Sequence, residues 1–213
     1  MFAISNGYDR EDIPASLPAP TGDRLVVTYA ETIFRLTSPV GLLGAVRRLH
    51  AESPELARLL RLRFLGRIVD TELSRFEGTE ALGVERVGYL SHDAIMKEVA
   101  ASHLLLCLLD DTPGAQPIYP AKIFELMALG RPCLTLAPEG ALAELVRATR
   151  LGDLLPPRDE ARIAEYLARL LADFREGRVP AQAPPVGIER YDRKALAGEF
   201  TDVFRRAIAW ARE

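Results

Sequence analysis

The run His103-Leu104-Leu105-Leu106-Cys107-Leu108-Leu109 constrains this chain more than any other stretch. It is almost unbroken in apolar residues and has the length of a strand. Such a segment suits a central parallel strand covered by helices on both faces. The pattern around it alternates. Residues 25–30 form a strand rich in β-branched side chains, and residues 31–37 form the loop that leaves it. Ser38-Pro39 then reads as an N-cap with proline at the first helical position. Leu42, Leu43, Val46 and Leu49 repeat at helical spacing to about residue 51. A second strand is expected at 62–66, a polar helix at 70–82 and a third strand at 84–89. Ser91 caps a helix with Ile95, Met96 and Val99 inward. Beyond the central strand come a buried strand at 132–137 and a helix at 139–150 with Leu142, Leu145 and Val146 inward. An edge strand at 154–155 and a helix at 160–174 follow. About six strands alternating with helices give a doubly wound α/β fold, a Rossmann-like parallel sheet.

The ends of the chain differ from its middle. Asn6-Gly7 is a turn signal, and Pro14, Pro18 and Pro20 make the stretch to Gly22 linker-like. Residues 1–23 are therefore assigned to an interdomain linker and 24–177 to the α/β domain. Residues 178–213 hold a second proline linker (Pro180, Pro184, Pro185) and a last helix from about Arg193 to residue 211. Its apolar positions are Leu196, Phe200, Phe204, Ile208 and Trp210.

Composition excludes several functions. A net charge of −3 over 213 residues, with no dense Lys/Arg block, argues against a nucleic-acid partner. Cys107 and Cys133 both sit in apolar runs and read as buried free thiols of a reducing compartment. His50, His92 and His103 show no ligand spacing, so no metal site is expected. With no signal peptide and no apolar run of membrane length, the expected location is cytoplasmic.

The chemistry concentrates in residues 119–132. Read as a helix starting near Pro120, this stretch places Ile123, Phe124 and Met127 on one side and Lys122 and Glu125 on the other. Gly130 is a natural stop. A cation and a carboxylate three apart are ordinarily a solvated pair worth roughly 0.2–0.5 kcal/mol. In a doubly wound sheet, however, ligands bind beyond the carboxyl ends of the strands. That rule gathers the 31–37 loop, the Gly66-Arg67 turn, the Tyr89-Leu90 turn and the 110–120 loop around one crevice, with Lys122 and Glu125 at its rim.

These residues resemble a known family. The order Tyr29-Ala30-Glu31-Thr32-Ile33-Phe34, Phe64-Leu65-Gly66, Gly88-Tyr89-Leu90-Ser91-His92, then Pro120-x-Lys122-Ile123-Phe124-Glu125-x-Met127-Ala128-x-Gly130-x-Pro132 is similar to the GT-B glycosyltransferases. The match is to the carboxy-terminal, donor-binding half of their retaining group 1, or family 4. It runs from about Ile4 to Trp210, and the 120–132 motif is its most specific part.

The resemblance implies a nucleotide-diphosphate sugar as donor substrate, with no separate cofactor. It assigns Glu125 to the ribose hydroxyls and the backbone of Tyr119, Pro120 and Ala121 to the diphosphate. Thr32 and Gly66 join the donor site, and Tyr89 and Leu90 lie near the base. Arg35, with Lys122 as a second candidate, would neutralise the leaving diphosphate. The acceptor would sit in an amino-terminal domain outside this chain, against which the last helix crosses back. This leaves room for peripheral membrane contact through the full-length protein, while the fragment alone is expected to transfer little.

Two positions depart from the family pattern. Pro117 stands where the family has a first glutamate, eight positions before Glu125. Glu31 stands where a glycine usually approaches phosphate, and a carboxylate there is unfavourable unless it turns away or is paired. The alternatives are a non-catalytic nucleotide- or sugar-binding module with a degenerate site, or an unrelated flavodoxin-like interaction domain.

Overall fold

A computed structural model describes residues 4–14, 16–178 and 185–210. In chain order the regular elements are β1 (Leu25–Ala30), α1 (Val40–Glu52), α2 (Pro54–Ala57), β2 (Leu60–Leu65) and α3 (Asp70–Leu73). Then come β3 (Val84–Gly88), α4 (His92–Ala100), β4 (Leu104–Leu108), α5 (Ile123–Leu129), β5 (Cys133–Leu136), α6 (Ala141–Thr149), β6 (Gly152–Leu155), α7 (Glu160–Arg175) and α8 (Arg193–Trp210). The strands form one parallel sheet in the order β3-β2-β1-β4-β5-β6. The chain reverses direction across the sheet between β1 and β4, so the crevice at their carboxyl ends is the natural ligand position.

Burial follows the apolar pattern. All five residues of β4 are buried, because neighbouring strands flank it and helices cover both faces. One core joins Leu25, Val27, Tyr29, Phe64, Leu104 and Leu106 to the inner faces of α1 and α7. The other joins Leu105, Cys107 and Cys133 to α4, α5 and α6. Both cysteines are free and buried, and burial raises both thiol pKa values, that of Cys133 to about 12.

Local patterns misplace some boundaries. The segment 70–82 is not one helix: α3 ends at Leu73, and 3-10 turns follow at Ser74–Phe76 and Glu80–Leu82. The Thr79 hydroxyl donates to the Phe76 carbonyl at 2.7 Å, taking the acceptor that a continuing helix would use. Ser38 does not cap α1. Pro39 occupies the cap position, its carbonyl accepting from Leu43 N–H, and the Ser38 hydroxyl donates to the buried Glu72 carboxylate at 2.6 Å. β2 begins at Leu60, two residues earlier than its pattern suggests. Arg61 and Arg63 pair with Glu85 and Glu98 at 2.7 and 2.5 Å, and the Arg63 side chain is only 13% exposed.

The described part of the amino-terminal segment is tied to the body. Tyr8 N–H donates to Tyr191 O, and Arg193 N–H donates to Tyr8 O, each at 3.0 Å. Arg193 and Lys194 pair with Asp9 and Glu11. Pro180 and Pro184 of the second proline linker, and residue 211 of the last helix, lie outside the described residues, while Pro185 is buried. In α8 Leu196 is buried, but Phe200, Phe204, Ile208 and Trp210 are exposed.

His103 sits at the foot of β4, and its Nδ1 accepts the Val26 N–H at 3.0 Å. Burial depresses its pKa, and the Arg131 cation adds to the effect. The unfolded chain, with a histidine pKa near ~6.5, therefore takes up this proton first. Stability is full above that pH and is lost as pH falls towards the depressed folded value. A protonated Nδ1 is also a donor facing a donor. Urea midpoints measured at about pH 7.5 and 5.5 should show an acid loss that shrinks in His103→Asn.

Candidate functional site

The site is built from the exits of β1, β2 and β4. β1 leaves the sheet through residues 31–37, which several bonds hold. The Tyr29 hydroxyl donates to Thr32 O at 3.3 Å and the Thr37 hydroxyl to the same carbonyl at 2.8 Å. Phe34 N–H donates to the Thr37 hydroxyl at 3.1 Å. Neighbouring exits are stitched to this loop: Ile33 N–H reaches Arg67 O at 2.8 Å, and Asp110 N–H reaches Leu36 O at 2.6 Å. Asp110 is itself buried and holds Arg158 through two bonds of 2.8–2.9 Å. The sequence reading misses this clasp, whose partners lie far apart in the chain.

The helix carrying Glu125 starts later than its pattern suggests. α5 begins at Ile123, not near Pro120. Ile123 N–H donates to Pro120 O and Phe124 N–H to Ala121 O, three residues back in each case. Residues 120–122 are therefore a tight entry turn, and Pro120 is outside the helix. Gly130, in the left-handed region at φ 65°, ends the helix as expected. Ile123, Phe124 and Met127 are fully buried. On the other face Lys122 Nζ donates to Glu125 Oε2 at 2.5 Å, with side-chain exposures of only 23% and 17%. This is not the solvated pair that spacing alone suggests.

Glu31 joins the pair. With Tyr29, Cys107 and Leu126 it lines a small cavity of about 10 Å³ that also includes Lys122. Burial raises its pKa; the Lys122 charge opposes the rise, the Glu125 charge adds to it, and the nearby Tyr29 phenol opposes it again. The carboxylate at this position thus shares a cavity lining with a phenol and an ammonium. Gly66 lies against its main chain: a Cβ there would stand 2.9 Å from Glu31 O.

The remaining expected residues spread around this centre. Thr32 is exposed above it. Arg35 is exposed in the 3-10 turn Arg35–Thr37. Tyr89, just past β3, is 86% exposed and free to stack, while Leu90 is partly buried. Ala121 is exposed and Pro120 half-buried. The Tyr119 ring packs edge-on against Phe124 at 5.7 Å and lines a separate cleft of about 420 Å³ with Ser5, Arg190 and Glu199. A further cleft of about 570 Å³ lies beyond β5 and β6, lined by Asp111, Gln116, Glu139, Arg147 and Arg162 among others. Among the described residues no group of three or more His, Cys, Asp or Glu could hold a metal ion, and no helix is long and apolar enough to cross a membrane.

Residues 40–173 match the sequence profile of the family described as glycosyl transferases group 1. The chain belongs to this family. The match covers α1 through most of α7, including the Lys122–Glu125 helix. No curated protein sequence gives a significant match to this group 1 glycosyl transferase chain. Solved structures do. The lipopolysaccharide outer core galactosyltransferase WaaB is 18% identical with a TM-score of 0.67, covering 96% of this chain and 56% of its own. HepE from Anabaena, solved with UDP-glucose, is 16% identical with a TM-score of 0.67, covering 95% and 57%. Sucrose-phosphate synthase from Thermosynechococcus elongatus is 20% identical with a TM-score of 0.67, covering 97% and 52%. At these identities the likeness is one of fold, the Rossmann-like α/β fold of GT-B glycosyltransferases. The chain spans about half the length of the structures it matches.

Proposed function

We propose that this chain is the donor-binding half of a retaining glycosyltransferase, and that it holds a nucleotide-diphosphate sugar beyond the carboxyl ends of β1 and β4. The observation that carries the reading is the half-buried Glu125 carboxylate, held by Lys122 at 2.5 Å where strand order reverses. In this reading Glu125 accepts the ribose hydroxyls and the exposed ring of Tyr89 stacks on the base, with Leu90 beneath it. Thr32, Gly66 and the entry turn at Tyr119, Pro120 and Ala121 frame the diphosphate. Arg35, exposed and flexible in reach, stabilises the negative charge that develops on the departing diphosphate. Lys122 is the second cation. HepE, solved with UDP-glucose, shares the fold and supports the class of donor.

The acceptor in this reading belongs to an amino-terminal domain. The four exposed apolar side chains Phe200, Phe204, Ile208 and Trp210 on α8 support it, since such a stripe suits a covered surface. Pro117 in place of the family's first glutamate favours a second reading, a binding module with reduced sugar contacts and no transfer.

Calorimetric titration with UDP, GDP and their sugars tests the first reading. Wild type should bind one nucleotide, and Glu125→Ala should lower that affinity about 100-fold, because two charge-assisted hydrogen bonds are lost. Unchanged binding by Glu125→Ala would refute it. Glycosyl transfer on adding the amino-terminal domain decides between the readings.

A further inference from the structure

Two carboxylates lie near one ammonium at this site, one bonded to it and one sharing its cavity. Lys122 is bonded to Glu125 and shares a cavity of about 10 Å³ with Glu31, too small for a ligand of any size. A ribose diol that engages both Glu125 oxygens competes with Lys122 for Oε2. An ammonium so poorly exposed cannot lose its counter-ion cheaply. It needs a second seat, and Glu31 is on the same cavity wall.

We infer that Glu31 is a positioning residue, the alternate partner that receives the Lys122 ammonium when a nucleotide ribose takes Glu125. The inference rests on the donor-site reading above and adds a residue to it. In the free protein Lys122 masks Glu125; on binding it swings to Glu31, so the ammonium keeps a carboxylate partner throughout. The position where a carboxylate seemed harmful to a phosphate ligand thereby gains a use. Tyr29 of β1, Cys107 of β4 and Lys122 at the entry to α5 line the cavity with Glu31, and Glu125 in the first turn of α5 acts on it through its charge. Of these Lys122 alone is cationic, so the seat depends on Glu31 being ionised. Burial raises the Glu31 pKa. As pH falls into that range the seat is neutralised, Lys122 stays on Glu125, and nucleotide affinity drops.

The test is calorimetry with UDP and GDP on the full chain at about pH 7.5 and 5.5, with circular dichroism to confirm folding. Glu31→Gln should bind about 10-fold more weakly than wild type at the higher pH and lose the wild-type pH dependence. Nucleotide phosphate titration is common to all variants and cancels in the comparison. Lys122→Gln, which removes the competing ammonium, should bind without that pH dependence, and adding Glu31→Gln to it should change affinity less than twofold. Glu31→Gln with wild-type affinity and pH profile overturns the inference while leaving Glu125 as the ribose ligand. Should Glu31→Gln not fold, a Lys122→Gln profile identical to wild type overturns it instead. Wild-type binding that survives Glu125→Ala overturns the donor-site reading, and the relay with it.

Discussion

Phe64→Ala is expected to cost about 3–5 kcal/mol of folding stability, read as a lower urea midpoint and a fall in melting temperature on the order of 10 °C. Phe64 is 1% exposed. Its ring meets Phe76 edge-on at 5.0 Å and Tyr29, its register partner on β1, at 5.9 Å. Alanine leaves a cavity between β2, β1 and the 3-10 turn that carries Phe76, and close-packed neighbours relax only partly into it. Phe64→Leu keeps most of the volume and should cost about 1–1.5 kcal/mol. The loss also has a route to the site. Tyr29 holds the loop after β1 through Thr32 O and lines the same cavity as Glu31. A loosened Tyr29 should weaken nucleotide binding in Phe64→Ala even under conditions where the chain stays folded.

Features with a local cause were legible in the sequence. The apolar run at 104–108 had one sensible reading, since no half-exposed strand tolerates five consecutive apolar side chains. Gly130 and Ser91 worked for the same reason, because a cap depends on neighbours three or four residues away. The Ser91 hydroxyl does accept from Ala94 N–H, at 3.4 Å. Ser38 offered an equally good local pattern and failed, because its partner Glu72 comes from another element. Pro120 failed more narrowly: proline is tolerated in a first α-helical turn, but it suits a 3-10 entry turn as well.

The candidate site divides along the same line. The 120–132 motif located Glu125, yet spacing could not distinguish a solvated Lys122–Glu125 pair from a half-buried one. That difference comes from β1 and β4, roughly 90 and 15 residues upstream, whose side chains exclude water from the pair. Glu31 was readable only as a departure from a family pattern. That it shares a cavity with Tyr29 and Lys122 is a tertiary fact. The Asp110–Arg158 clasp left no local trace at all.

Gly66→Ala should be the most damaging small substitution at the site itself, costing about 2–4 kcal/mol. Its φ of +119° lies in a region that residues with a Cβ rarely adopt. The added methyl would also stand 2.9 Å from Glu31 O and 3.3 Å from Glu31 C, both backbone atoms with no rotamer to change. Gly130→Ala provides the contrast. Its φ of 65° is in the ordinary left-handed region and nothing lies within 4 Å of a Cβ there, so about 1 kcal/mol is expected. The two variants should therefore separate in urea midpoint by more than their shared chemistry predicts. Relief of the Gly66 clash requires moving either the β2 exit, which is held by Gly66 N–H to Gly88 O at 2.7 Å, or the Glu31 main chain. The first loosens β3 and the turn that presents Tyr89. The second drags Glu31 from the Lys122 cavity. In both cases nucleotide affinity should fall further in Gly66→Ala than in a core variant of equal stability, because the strain is delivered to the carboxylate that seats Lys122.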